Sequence, residues 1–200
     1  MGGFYRFIRG LMIALSKTLF PCKVYGKENI PETGGFVLCS NHTSMSDVIF
    51  IIASNKRQVH FMGKAEIFDN KIMAFLYGKM GVFPVKRGAH DTSAVKYAED
   101  LGKEGKIVGI FPEGTRRRDF GPPMQGKSGA VVIAASAGVP ILPCAIYREG
   151  KFRIFRKTVI RYGKPIENSE LPDVKDGKNA IRAALARLMG DITELWRQGK

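Results

Sequence analysis

The sequence predicts an α/β protein: a three-layer α/β/α sandwich around a mixed, mostly parallel sheet, with an N-terminal helix suited to a membrane interface. Three observations predict it. Short apolar runs alternate with helical stretches along most of the chain, the pattern of helices covering both faces of a sheet. Two hundred residues, 44% of them hydrophobic and 25% charged, suit a single domain with a substantial core. Two polar strings, Asn41-His42-Thr43-Ser44-Met45-Ser46-Asp47 and Phe111-Pro112-Glu113-Gly114-Thr115-Arg116, each follow directly on an apolar run. Both therefore fall at the carboxyl ends of strands, where such folds bind ligands.

The elements follow in order. Residues 4–20 are apolar and aromatic but broken by Arg6, Arg9 and Lys17. The uncharged run between Arg9 and Lys17 is far below the ~20 residues that cross a bilayer. No small-residue cleavage site follows it, and Arg6 defeats the myristoylation pattern that begins at Gly2. A basic, aromatic-rich helix of this kind suits a membrane interface, or else packs on its own domain with its cations in water. The expected division is an amphipathic membrane-associating segment at 1–22 and one domain at 23–200.

Pro31-Glu32-Thr33-Gly34-Gly35 is a turn. Phe36–Ser40 reads as a buried strand, and Ser46 or Asp47 caps a short apolar helix through about Ser54. Val59–Met62 is a strand. Ala65–Tyr77 reads as one helix with Ile67, Phe68, Ile72, Phe75 and Leu76 grouped on a side. Gly81–Val85 is a short strand whose Pro84 favours an edge. Asp91–Glu104 is a polar-faced helix stopped by Gly105. Ile107–Phe111 is a buried strand, followed by a basic loop holding Arg116-Arg117-Arg118. Lys127–Ala137, rich in small residues, is a buried helix with Gly138 as its stop. Val139–Ile146 is a strand, and Lys151–Tyr162 a basic hairpin or strand. Asn179–Arg197 is a helix with Ile181, Leu185, Leu188, Ile192 and Leu195 on one face.

Charge and cysteines narrow the class. Thirty-two Lys and Arg against eighteen Asp and Glu give +14, a field that attracts nucleic acid, anionic lipid or phosphorylated substrates. The interleaved string Lys151-Phe152-Arg153-Ile154-Phe155-Arg156-Lys157 suits a basic nucleic-acid-binding module, but no nucleic-acid motif accompanies it. Three widely spaced cysteines, Cys22, Cys39 and Cys144, form neither a disulfide framework nor a thiolate metal site, and suggest a reducing compartment. Three histidines without paired ligand spacing argue against zinc.

The chemistry rests on His42 and Asp47. A neutral imidazole can take a proton from an alcohol if its other nitrogen is held, normally by a carboxylate. An offset of five does not share one helical face. It can meet if His42 lies on a loop and Asp47 starts the following helix. Alone, the pair is a weak signal that reads more readily as a capping Asp beside a surface His. The second string adds a loop in which Gly114 permits a tight turn and Arg116 offers a phosphate-matching fork. Lys127 opens the small-residue helix, where the dipole favours anions. Gly81-Val82-Phe83-Pro84-Val85-Lys86-Arg87 supplies a further cation pair, with Arg87 in reach of the same anion or serving as a protective edge charge.

Taken in order, Asn-His-x4-Asp from Asn41, Gly-x-Phe-x-x-x-Arg from Gly81, Phe-Pro-Glu-Gly-Thr-Arg from Phe111 and Val-Pro-Ile-Leu-Pro from Val139 resemble the block set of the glycerolipid acyltransferases, and within them the bacterial 1-acyl-sn-glycerol-3-phosphate acyltransferases. The blocks run from Asn41 to Pro143, about half the chain. The resemblance implies an acyltransferase that moves a fatty acyl group from acyl-CoA or acyl-carrier protein to lysophosphatidate, with no cofactor and no metal. His42 would be the base and Asp47 its partner. Phe83 and Arg87 would lie in the acceptor block, and Glu113, Gly114, Thr115 and Arg116, with Lys127, would hold the glycerol phosphate. Pro140 would lie near the acyl donor or the core. It implies a peripheral enzyme of phospholipid biosynthesis on the cytoplasmic face of the membrane, with an anionic lipid surface rather than nucleic acid as the partner of its basic face. Glycerol 3-phosphate, dihydroxyacetone phosphate and other lysophospholipids stand as alternative acceptors. The chain departs from the blocks at Arg117, where Ser is frequent, and at Gly126-Lys127-Ser128-Gly129, where Lys-Gly is more usual.

Overall fold

The computed structural model describes residues 2–86, 91–151, 153–173 and 176–199. Seven strands form one sheet: β1 (Cys22–Tyr25), β2 (Phe36–Ser40), β3 (Val59–Lys64), β4 (Phe83–Val85), β5 (Ile107–Ile110), β6 (Ile141–Arg148) and β7 (Thr158–Tyr162). Their spatial order is β1-β7-β6-β2-β5-β3-β4. Every neighbouring pair is parallel except β6 and β7. Among the described residues the α-helices are α1 (Gly3–Thr18), α2 (Ser46–Ser54), α3 (Lys71–Lys79), α4 (Thr92–Lys103), α5 (Gly129–Ala137) and α6 (Lys178–Arg197). This is the mixed, mostly parallel α/β architecture the sequence predicts.

β2 shows how the layers arise. It lies at the centre of the sheet, between β5 and β6, and all five of its residues are buried. Side chains alternate across a strand, so Val37 and Cys39 enter one core with α4, α5 and α6, whose Leu101, Val131, Leu188 and Ile192 pack there. Phe36 and Leu38 enter the opposite core, with Tyr5 of α1 and Phe50, Ile51 and Ile52 of α2. Strands buried on both faces read as continuous apolar runs, which is why these were legible.

Four boundaries depart from expectation. The single helix expected over Ala65–Tyr77 is split. Residues Ala65–Phe68 form a 3-10 turn, and Asn70 caps a new helix, its side-chain oxygen accepting from the N–H groups of Ile72 and Met73 at 2.9 and 3.1 Å. The strand in the basic 151–162 region begins only at Thr158. α5 starts at Gly129, leaving Lys127 on the preceding loop. Cys22–Tyr25, where no element was expected, is an edge strand paired with β7.

α1 is not a free arm. Tyr5 is buried, its hydroxyl accepting from the Val59 N–H at 3.2 Å, and Arg9 donates to the Asn55 carbonyl. The outward side carries Phe7 and Leu11, exposed at 68% and 44%. Among the described residues no helix is long and apolar enough to cross a membrane.

Candidate active site

The site lies where β2 and β5 end. Beyond Ser40 the Asn41 side chain continues the sheet, accepting from the Ile146 N–H at 2.8 Å and donating to the Ile146 carbonyl at 2.9 Å. Asn41 thus anchors the strand end against β6 and fixes where the loop leaves the sheet. His42 is the next residue, and α2 starts four residues later at Ser46. The chain folds back over this loop, and Asp47 in the first turn of α2 meets the imidazole, with Nδ1 3.0 Å from Oδ2.

Asp47 is fully buried, and each of its oxygens is engaged. Oδ2 also accepts from the N–H groups of Thr43 and Ser44, both at 2.7 Å. Oδ1 accepts from Nη2 of Arg148 at 2.9 Å. Burial alone pushes this carboxyl up; the bond from His42, the Arg148 charge and the Ser44 N–H outweigh it and hold Asp47 below its ordinary value. Asp47 is therefore a carboxylate at neutral pH. It fixes the imidazole tautomer with hydrogen on Nδ1, leaving Nε2 as an acceptor.

The His42 backbone is held from both sides. Its N–H donates to Oε1 of Glu113 at 2.8 Å, and its carbonyl accepts from the Arg117 N–H at 2.8 Å. Its ring lies flat on Phe111, with centroids 3.9 Å apart and planes 14° apart. Phe111 in turn stacks on Phe61 at 5.8 Å. This stack depends on Gly109: a Cβ there would fall 2.5 Å from the Phe61 ring, inside any tolerable contact.

The second string forms the opposite wall. Gly114 has φ +68°, a left-handed conformation that glycine adopts without penalty. The Lys127 side chain lies across it, its Nζ 3.3 Å from where a Cβ would stand. The Lys127 N–H donates to the Pro112 carbonyl at 2.8 Å, tying the two loops together. Thr115, Arg116 and Lys127 are exposed. Among the described residues neither Arg116 nor Lys127 has a carboxylate partner. The wall beside His42 thus presents cations to solvent.

Two residues expected on the acceptor face elsewhere. Glu113 is buried, and its second oxygen accepts from the Met124 N–H at 3.1 Å, so the carboxylate is used within the protein. Burial pushes its carboxyl up, against the two backbone N–H bonds and the charges of His42 and Arg117. Phe83 is buried in the core of the α4–α6 side, edge-on to Tyr97 with centroids 5.0 Å apart. Pro140 likewise serves the sheet, its carbonyl accepting from the Val37 N–H at 3.0 Å. Arg87 lies outside the described residues.

Sequence reasoning missed Arg148, the last residue of β6. It is 3% exposed, donates through Nε to the Thr158 hydroxyl at 3.2 Å and through Nη1 to the Thr43 hydroxyl at 3.3 Å, and lies 5.5 Å from the Phe50 ring. An arginine ending an apolar strand carries no local signal of its use. A cavity of about 1050 Å³ opens between α1, α2 and β1, with Ile13, Val24 and Phe50 among its apolar walls and Lys17, Lys23 and Lys157 among its cations. Phe50, which lines it, lies against Arg148, and Arg148 pairs with Asp47. Among the described residues no three His, Cys, Asp or Glu side chains converge as a metal site.

A base backed by a buried carboxylate, at the carboxyl end of a parallel strand and beside exposed cations, is the equipment of an enzyme that activates a hydroxyl on an anionic substrate. The chain belongs to the acyltransferase family, whose model matches residues 21–147. It is 32% identical to a 1-acyl-sn-glycerol-3-phosphate acyltransferase of Bacillus subtilis, over 96% of each chain. It is 28% identical to the Streptococcus pneumoniae enzyme of the same name, over 98% of this chain and 77% of the other. Its fold matches the crystal structure of the 1-acyl-sn-glycerophosphate acyltransferase PlsC of Thermotoga maritima, with a TM-score of 0.70 at 21% identity over 94% of this chain and 79% of that one.

Proposed function

We propose that the protein transfers a fatty acyl group from an acyl thioester to the sn-2 hydroxyl of 1-acyl-sn-glycerol 3-phosphate, giving phosphatidic acid. The observation that carries this reading is the His42–Asp47 pair, held at 3.0 Å in the stretch that matches the acyltransferase family. The Bacillus and Streptococcus relatives give the acceptor its name.

The acceptor phosphate lies against Arg116 and Lys127, which places its free hydroxyl toward Nε2 of His42. As the hydroxyl oxygen attacks the thioester carbonyl carbon, its proton passes to Nε2, and Asp47 stabilises the imidazolium that forms. The tetrahedral intermediate collapses with cleavage of the C–S bond. The departing thiolate takes the proton from Nε2, and neutral His42 is restored. Glu113 acts on the base rather than on the substrate, by fixing the His42 backbone. The steps use no metal, cofactor or covalent enzyme intermediate. Acyl-CoA and acyl-carrier protein both supply the required thioester.

The lipid acceptor places the enzyme at a membrane surface. The exposed Phe7 and Leu11 on α1, with the exposed Arg6 on the same helix, support peripheral binding to anionic lipid at the cytoplasmic face. Thiol release from acyl-CoA with lysophosphatidate or glycerol 3-phosphate as acceptor tests the function. Release with lysophosphatidate alone, lowered roughly 10²–10⁴-fold in His42→Ala, is the expected result. Release with glycerol 3-phosphate alone would change the acceptor and keep the base. A His42→Ala variant with more than about a tenth of wild-type kcat would overturn the base assignment.

A further inference from the structure

Arg148 lies behind the His42–Asp47 pair, outside the four motif blocks, and its guanidinium pairs with the carboxylate of that pair. Its guanidinium is buried and reaches three groups from three parts of the chain: Asp47 on α2, Thr43 on the catalytic loop and Thr158 on β7. Burying a guanidinium is costly unless a charge answers it. The answering charge here is the carboxylate that holds the base.

We propose that Arg148 is a positioning residue for this pair: its fork fixes the Asp47 carboxylate in place, and its charge limits how strongly Asp47 draws a proton onto His42. The inference rests on the reading of His42 as the base. With Arg148 present, Asp47 aims the imidazole while the guanidinium balances its negative charge. Without Arg148, the buried carboxylate 3.0 Å from Nδ1 would lose its other charge partner and draw more strongly on the imidazole proton.

The other ionisable groups facing the pair do not substitute for Arg148. From β1 comes Cys22 and from β6 Cys144; burial pushes both thiols up, Cys22 to about 11, so both are uncharged at neutral pH. From the loop after β5 comes the Glu113 carboxylate, on the His42 backbone. Arg117 turns its own guanidinium to Asp119. Among the described residues Arg148 supplies the one ion pair that Asp47 makes besides that with His42.

The test compares full-length wild type, Arg148→Met and Arg148→Lys. Arg148→Met keeps the bulk and removes the charge; Arg148→Lys keeps the charge and removes the fork. The His42 imidazole is titrated by NMR in each, its signal identified among three histidines by its loss in His42→Ala. The acid limb of kcat/KM for acyl-CoA and lysophosphatidate is measured alongside. The expected result is an upward shift of both midpoints by about one pH unit in Arg148→Met. In Arg148→Lys the midpoints stay close to wild type and kcat falls. A purely structural role would lower the melting temperature without moving the midpoint. An unshifted midpoint in Arg148→Met overturns the electrostatic role, and wild-type kcat in Arg148→Lys overturns the positioning role. Should Arg148→Met fail to fold, Arg148→Gln is titrated in its place under the same criteria. Undiminished activity in His42→Ala would fail the base assignment itself, whereas an inactive His42→Ala with an unmoved Arg148→Met midpoint fails this inference alone.

Discussion

Replacing Glu113 by alanine separates two roles that the motif leaves equivalent. If the carboxylate holds the acceptor, its loss raises KM. If it holds the base, its loss lowers kcat. The structure favours the second, because Oε1 and Oε2 accept from the N–H groups of His42 and Met124 at 2.8 and 3.1 Å. A hydrogen bond to a charged group is worth about 1.5–3 kcal/mol. If the His42 bond is lost wholly from the alignment of the base, kcat falls by about 10–150-fold. Two N–H groups also lose their acceptor, at about 1–3 kcal/mol each. Stability should then fall by about 2–6 kcal/mol, or about 4–24 °C in melting temperature for a chain of this size. Steady-state thiol release at varied lysophosphatidate, with a thermal melt of the same protein, measures both. A rise in KM above tenfold with kcat unchanged would refute the positioning argument and put the carboxylate on the substrate.

Arg116→Ala should raise KM for lysophosphatidate by about 10–100-fold with kcat little changed, since one charge-assisted contact is removed from the phosphate; an unchanged KM moves the phosphate elsewhere. Asp47 contributes stability through its lowered carboxyl. That contribution is fully present above its unfolded value of 3.8 and disappears as pH falls through the lower folded value. Acid titration of stability should therefore show a loss below about pH 4 that Asp47→Asn lacks, and Asp47→Asn should be less stable at pH 7 because it leaves Arg148 buried beside a neutral amide. Phe7→Glu with Leu11→Glu should weaken binding to anionic vesicles at an unchanged melting temperature, and unchanged vesicle binding would remove α1 from the membrane contact. Deleting residues 1–20 is a poorer probe, because it also empties the buried seat of Tyr5.

The sequence by itself determined the layered α/β class and the placement of both motifs. The reason is local: strands buried on both faces must be apolar throughout, and polar strings at their ends stand out against them. It also offered the His42–Asp47 pair, because a strand, a loop and a helix start within seven residues leave the chain little choice but to fold back. Other features were decided only by tertiary structure. Glu113 meets the His42 N–H across 71 residues, and Arg148 meets Asp47 across 101. Nothing near either residue in sequence shows which buried group will need it. Phe83 carries a motif position, yet a ring at the start of a strand can face either the core or a ligand; α4, with Tyr97, decides that it is core. The break at Asn70 is a competition between helix continuation and a side-chain cap, and strong helix formers such as Ala65, Glu66, Met73 and Ala74 stand on both sides of it. β1 has four residues, half of them exposed, and exists as a strand only because β7 supplies its hydrogen bonds. The motifs name the candidate reacting groups, whereas the non-local hydrogen bonds of Glu113 and Arg148 hold them in place.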